Sequence, residues 1–135
     1  MSLYNALIRT HHITSRKKVT KLKQAADACD VFALIRSGGC PGIMYVEGRE
    51  DGVRRWVGVV HNLRYKDYQL ATRPAALVSE TSSSQPSSIG TDKQLAQQQR
   101  GLHETDSVKD FAARMHARGV YAWWRRGMGF TADDE

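Results

Sequence analysis

What this chain lacks narrows its class. No apolar stretch approaches the roughly 20 residues that a membrane-spanning helix needs, and no charged-then-apolar leader opens it, so neither a membrane nor a secretory setting is expected. Only two cysteines occur, Cys29 and Cys40; they are too few for a secreted disulfide framework and lack the spacing of a metal site. A reducing, intracellular location, in the nucleus, the cytoplasm or both, is expected. No internal repeat is present. Catalytic sets are equally scarce. His11 and His12 are adjacent on a strand-like run, so their rings point to opposite faces, and His61, His103 and His116 add no metal spacing. Neither a metal nor a small-molecule cofactor is expected.

What the chain does have is basic charge, unevenly placed. Its 135 residues suit one domain that buries about two thirds of its unfolded surface. Residues 1–78 hold 13 Lys and Arg against 6 Asp and Glu, whereas residues 79–135 hold 7 against 8. A basic half beside a near-neutral one suits an anionic partner such as RNA or an acidic protein.

Apolar periodicity divides residues 4–78 into the order βαββαβ, the plan of a single α+β ferredoxin-like domain. Ala6 to Ile13 alternates as a first strand, with Ala6 and Ile8 on one face and Arg9 and His11 on the other. Thr14 or Ser15 offers an N-cap for a helix over 15–29, whose apolar stripe is Val19, Leu22, Ala25, Ala26 and Cys29. Strands are predicted at 31–36 and 43–47, separated by the glycine-rich loop Ser37–Gly42. A second helix from Glu50 to Leu63 buries Val53, Trp56, Val57 and Val60, although its four valines and two glycines are weak helix formers. Tyr65 to Ala71 reads as the fourth strand. Residues 79–104 are Ser/Gln-rich and read as a linker or mobile loop. Residues 105–130 read as a helix capped by Thr105 or Asp106, stopped at Gly119, then a Trp-rich tail that packs on the domain.

Three short elements, in order, resemble one family: Thr10-His11-His12-Ile13-x-Ser15, Pro41-Gly42-Ile43-x-x-Val46-Glu47-Gly48 and Leu63-Arg64-Tyr65. The family is the ferredoxin-like domain of unknown function that follows the RWD domain in RWD-domain-containing proteins. It also includes the C-terminal domain of pre-mRNA-processing factor three. The resemblance covers residue 5 to about residue 75 and implies a ferredoxin-like fold. Its splicing-factor branch implies contact with snRNA. Its RWD-associated branch, closer through the His-His-Ile and Pro-Gly-Ile elements, implies no settled activity.

The residues suggest where an anion would bind. Arg16, Lys17, Lys18 and Lys21 crowd the start of the first helix, while Asp27 and Asp30 lie at its end, the reverse of what the helix dipole favours. Cations beside unpaired N–H groups make a phosphate site. Arg9, His11 and the pair Arg54/Arg55 are expected to help, and Tyr45 is a candidate to stack a base, the alternative being that the C-terminal aromatic tail covers its face. Trp123, Trp124 and Phe130 form the alternative, an apolar dock for a protein partner or for self-association. Hydrolytic chemistry is a distant third. His12-Ile13-Thr14 reads as a lone His-x-Thr where two-histidine phosphoesterases need a pair, and Gly48–Arg55 only loosely resembles the acylphosphatase phosphate loop. A non-catalytic, RNA-binding module is the leading expectation.

Overall fold

The computed structural model describes residues 3–77 and 100–129. Alternation along the strands gives them two apolar faces, and the fold uses both. In β1 (Tyr4–Thr10), Ala6 and Ile8 enter one cluster while Leu7 enters another. β3 (Gly42–Gly48) is buried along its whole length, with Met44 and Val46 on the first face and Ile43 and Tyr45 on the second. In β2 (Phe32–Arg36), Ala33 and Ile35 oppose Phe32 and Leu34 in the same way.

These strands join β4 (Gln69–Ala76) and β5 (Gly101–Thr105) in a five-stranded sheet of order β4-β1-β3-β2-β5. β1 is antiparallel to both β3 and β4, and β2 is antiparallel to β3. β5 runs parallel to β2, from Phe32 opposite Gly101 to Arg36 opposite Thr105. The result is an α+β protein with a mixed sheet, compatible with a ferredoxin-like fold.

On the first face lie α1 (Arg16–Cys29) and α2 (Glu50–Asn62), which pack against each other. Ser15 caps α1, its Oγ accepting from the Lys18 N–H at 3.3 Å. Val19, Leu22 and Ala26 bury beneath it. The valine- and glycine-containing α2 does form, because Val53, Trp56, Val57 and Val60 bury together and packing outweighs propensity. Trp56 is fully buried, and its indole N–H donates to the Leu22 carbonyl at 3.1 Å, tying α2 to α1.

The second face is closed by α3 (Val108–Ala117) and α4 (Tyr121–Met128). Phe111, Met115, Trp124 and Met128 cover Leu7, Phe32, Leu34, Ile43 and Tyr45. Gly127 permits the approach of α4: a Cβ there would sit 2.6 Å from Thr72 Oγ1 and 2.7 Å from Leu7 Cδ2. One polar network fixes this layer. Arg118, at the end of α3, donates to Glu47 at 2.6 Å, and their side chains are only 11% and 8% exposed. Tyr45 also donates to Glu47, at 2.7 Å, and accepts from Asn5 at 3.3 Å.

Four sequence expectations need correction. Residues 101–105 are strand rather than the end of a linker, because β5 pairs with the otherwise open edge of β2; residues 79–99 lie outside the described residues. The fourth strand starts at Gln69, not Tyr65. Arg64 and Asp67 take left-handed φ values of 57° and 56°, which no strand accommodates, while Tyr65 turns into the core. Ser107, not Thr105 or Asp106, caps α3 by accepting from the Asp110 N–H at 3.0 Å. The aromatic tail is itself a helix, α4.

Two substitutions test this architecture. Trp56→Ala is expected to lower unfolding free energy by about 3–5 kcal/mol in denaturant titrations, since it opens a cavity between α1 and α2. Arg118→Ala is expected to cost a similar amount, about 3–5 kcal/mol, because it leaves the Glu47 carboxylate buried without its partner. Unchanged stability in the second variant would mean that the ion pair does not hold the α3–α4 layer.

Candidate nucleic-acid interface

The end of the sheet where β1 stops and α1 starts gathers three segments. The His11 N–H donates to the Lys66 carbonyl at 2.9 Å, joining the β1–α1 connection to the α2–β4 connection. Gly38 N–H donates to the Ile13 carbonyl at 3.1 Å, and Gly42 N–H to the His11 carbonyl at 3.2 Å, adding the β2–β3 connection. Gly42 has to be small: a Cβ there would collide with Thr10 Oγ1 and the Ile13 side chain. Thr10–Ile13, Pro41–Ile43 and Leu63–Tyr65, far apart in sequence, are therefore neighbours.

This convergence builds a cationic cap. Lys17, Lys21, Arg64 and Lys66 are exposed, and none of them forms an ion pair among the described residues. Lys18 lies over the Tyr65 ring, its Nζ 4.7 Å from the centroid, so its stem is half-buried and its charge held at the surface. Burial pushes the Tyr65 phenol up to about 12, which keeps it neutral beneath that ammonium. The first turn of α1 contains no acidic residue, so its unpaired N–H groups add to the positive field. His11 Nδ1 lies 3.4 Å from Asp67 Oδ2, and its ring meets His12 edge-on at 4.7 Å. Asp67 is the carboxylate closest to the histidine pair. Lys17, Lys18 and Lys21 lie in the first turns of α1, and His11 in the connection that leads to it.

Other expected contacts lie elsewhere. Arg16 forms a bidentate pair with Glu104 at 2.7 and 3.0 Å, and Ser37 donates to the same carboxylate at 2.6 Å. Arg16 therefore clamps α1 to β5 rather than standing open as a phosphate ligand. Arg9 projects to the second face, donating to the Met128 carbonyl at 2.7 Å and to Gln69 at 3.0 Å. It caps α4. Tyr45 is fully buried, edge-on to Trp123 at 5.6 Å, and no base can reach it. Arg54 and Arg55 sit near the opposite end of the domain. Arg54 pairs with Glu50 at 3.0 Å, and Arg55 lies beside Cys29 at the far end of α1.

The proposed protein dock is also inside. Trp124 is 2% exposed and stacks on Phe111 at 5.9 Å, and Trp123 packs half-buried against Tyr45. Phe130 lies outside the described residues. The His12-Ile13-Thr14 element is not alone in the sequence: His103-Glu104-Thr105 is a second His-x-Thr. His103 packs against Phe32 on β5, whereas His12 is exposed beyond β1, with β3 and β2 between the two strands. The pair does not converge on one substrate. Arg64 and Lys66 were missed because Leu63–Leu70 alternates like a strand. Tyr65, Asp67 and the flanking charges were the available signal of a turn.

The Glu104 clamp has a pH signature. The Arg16 guanidinium, with the Ser37 hydroxyl, lowers the Glu104 carboxyl to about 2. An unfolded glutamate titrates near about 4.3. The clamp's contribution is therefore full above that value and is lost as pH falls toward the folded one. The stability difference between wild type and Glu104→Gln, followed by urea midpoint, should shrink from pH 6 to pH 2.5. A difference that stays constant with pH would show that the charge of Glu104 is not what the clamp uses.

Comparison with known proteins adds no family assignment: no family model matches the chain, and no curated protein matches it.

Proposed function

We propose that this chain is a non-catalytic, ferredoxin-like binding module that holds RNA through phosphate contacts at its cationic cap. The observation that carries the reading is the Lys18 ammonium over the Tyr65 ring, which, with the bond from the His11 N–H to the Lys66 carbonyl, brings the connection that contains Arg64 and Lys66 to the end of the domain where α1 starts with Lys17, Lys18 and Lys21. Basic residues from two separate segments then face one ligand, beside a helix start that lacks acidic residues. The two sheet faces support the same choice by elimination. α1 and α2 cover one, α3 and α4 the other, so a phosphate backbone meets the domain at its end rather than on the sheet.

The β4-β1-β3-β2 order, antiparallel throughout and with both intervening helices on one face, supports the ferredoxin-like reading. Of the three elements that carry the likeness to the RWD-associated and splicing-factor family, Thr10–Ile13, Pro41–Ile43 and Leu63–Tyr65 lie at the same end of the sheet. An RNA partner suits a nuclear or cytoplasmic location. Among the described residues no helix is long and apolar enough to cross a membrane. The rival reading, a protein dock built on the tail, loses its surface because Trp123 and Trp124 pack within the chain.

The test is binding of single-stranded and junction RNA at two or more salt concentrations. Wild type is expected to bind with a steep salt dependence. Lys17→Glu/Lys21→Glu/Lys66→Glu, all exposed positions, should weaken binding and flatten the log–log salt slope by about 0.7 per lost contact. Equal affinity and slope in both proteins, or no binding by wild type at low salt, would reject the proposal.

A further inference from the structure

Beyond the cap, α2 and the edge strand β4 leave an open groove of about 400 Å³, continuous with a smaller recess of about 220 Å³. The two share His61, Asn62 and Tyr68, and Arg64 lines the recess. Arg64 therefore belongs both to the cap and to the mouth of the groove. Tyr68 and His61 meet edge-on at 5.4 Å, presenting an aromatic wall. Val57, Leu70 and Pro74 form an apolar floor, and no Asp or Glu lines either space. A planar, apolar-faced group attached to an anion matches this lining: stacking surface within, cation at the entrance.

Gly58 supplies an independent observation. It lies mid-helix on the groove wall, exposed, and a Cβ there would meet nothing within 4 Å. Glycine inside a helix is less stable than alanine, and no neighbour requires one here. Without a side chain at this position, the helix backbone on the groove wall is open to close approach by a ligand.

We infer that the α2–β4 groove takes one unpaired RNA base, stacked on the Tyr68 ring with His61 at its edge and Gly58 beside it, and with its adjoining phosphate on Arg64. The inference rests on the proposed RNA-binding function and adds a base subsite to its phosphate cap. Asn62 offers both donor and acceptor groups to a base edge at the same place. Arg54, its Nε held by Glu50, bounds the groove at the end farther from the cap.

The test compares a labelled ten-nucleotide oligo(A) RNA with an abasic ribose-phosphate chain of equal length, by fluorescence anisotropy. Wild type should prefer oligo(A) by about tenfold, the contribution of one stacked base. Tyr68→Ala should lose that preference while keeping the salt slope. Gly58→Gln should melt at a higher temperature than wild type and also lose the preference; it decides the matter if Tyr68→Ala does not fold. Oligo(A) and the abasic chain binding equally to wild type, or a preference that survives in Gly58→Gln, overturns the base subsite and leaves the phosphate cap standing. Failure of wild type to bind either chain at low salt removes the cap and the subsite together.

Discussion

The carboxylate of Glu47, next to the last residue of the central strand β3, determines how the second half of the chain is placed. A buried carboxylate is costly unless it is paired and its oxygens are hydrogen-bonded. Arg118 meets it at 2.6 Å, Tyr45 donates to it at 2.7 Å, and the Arg118 guanidinium rests 3.7 Å from the Phe32 ring centroid. The pair fixes the end of α3 over β3 and β2, Gly119 turns the chain with a φ of 76°, and α4 is delivered back across β1 and β4. The rest of the second core, Leu7, Ile43, Phe111, Met115 and Trp124, closes around that point.

Functional consequences follow from this closure. With both faces of the sheet occupied by the chain's own helices, the surfaces left open are the helix exteriors, the sheet edges and the ends of the strands. The charges are arranged accordingly. α1 begins with Arg16, Lys17 and Lys18 and has no basic residue in its last turn, so it forgoes the dipole stabilisation that a conventional arrangement would provide, about 0.3–1 kcal/mol per end charge at low salt. Arg16 recovers part of that through Glu104. Lys17 and Lys21 have no such partner among the described residues, and their cost in stability is accounted for by the anion they are proposed to meet.

Much of the first layer was legible in sequence because it obeys period. Val19, Leu22, Ala26, Val53, Trp56 and Val60 lie at helical spacing and bury as that spacing requires. The errors fall where one pattern has two physical outcomes. Leu63–Leu70 alternates apolar and polar residues as a strand does, yet Arg64 and Asp67 adopt left-handed backbone and Tyr65 enters the core from a turn. Gly101–Thr105 is too short and too polar to announce a strand; its pairing with β2 creates it. At the candidate site, Lys17, Lys18 and Lys21 could be read locally. Arg64 and Lys66 could not, since their relevance depends on a hydrogen bond between residues 11 and 66. Tyr45 failed as a base platform for the related reason that what covers it, Trp123 and α4, lies far along the chain.

Sequence by itself determined the local terms: the α+β class, the apolar stripes of α1 and α2, a hydroxyl cap at Thr14 or Ser15 and the concentration of positive charge before residue 79. Each depends on residues within a few positions of one another, where periodicity, capping chemistry and charge act directly. Tertiary structure alone decided which arginines are open and which are engaged. Arg9 is drawn to the end of α4, Arg16 to Glu104 and Arg118 to Glu47, across separations in sequence of 119, 88 and 71 residues. A guanidinium is indifferent to sequence distance. It goes to whichever carboxylate or carbonyl the fold places beside it, and Lys17, Lys21, Arg64 and Lys66 are among the cations that form no ion pair among the described residues.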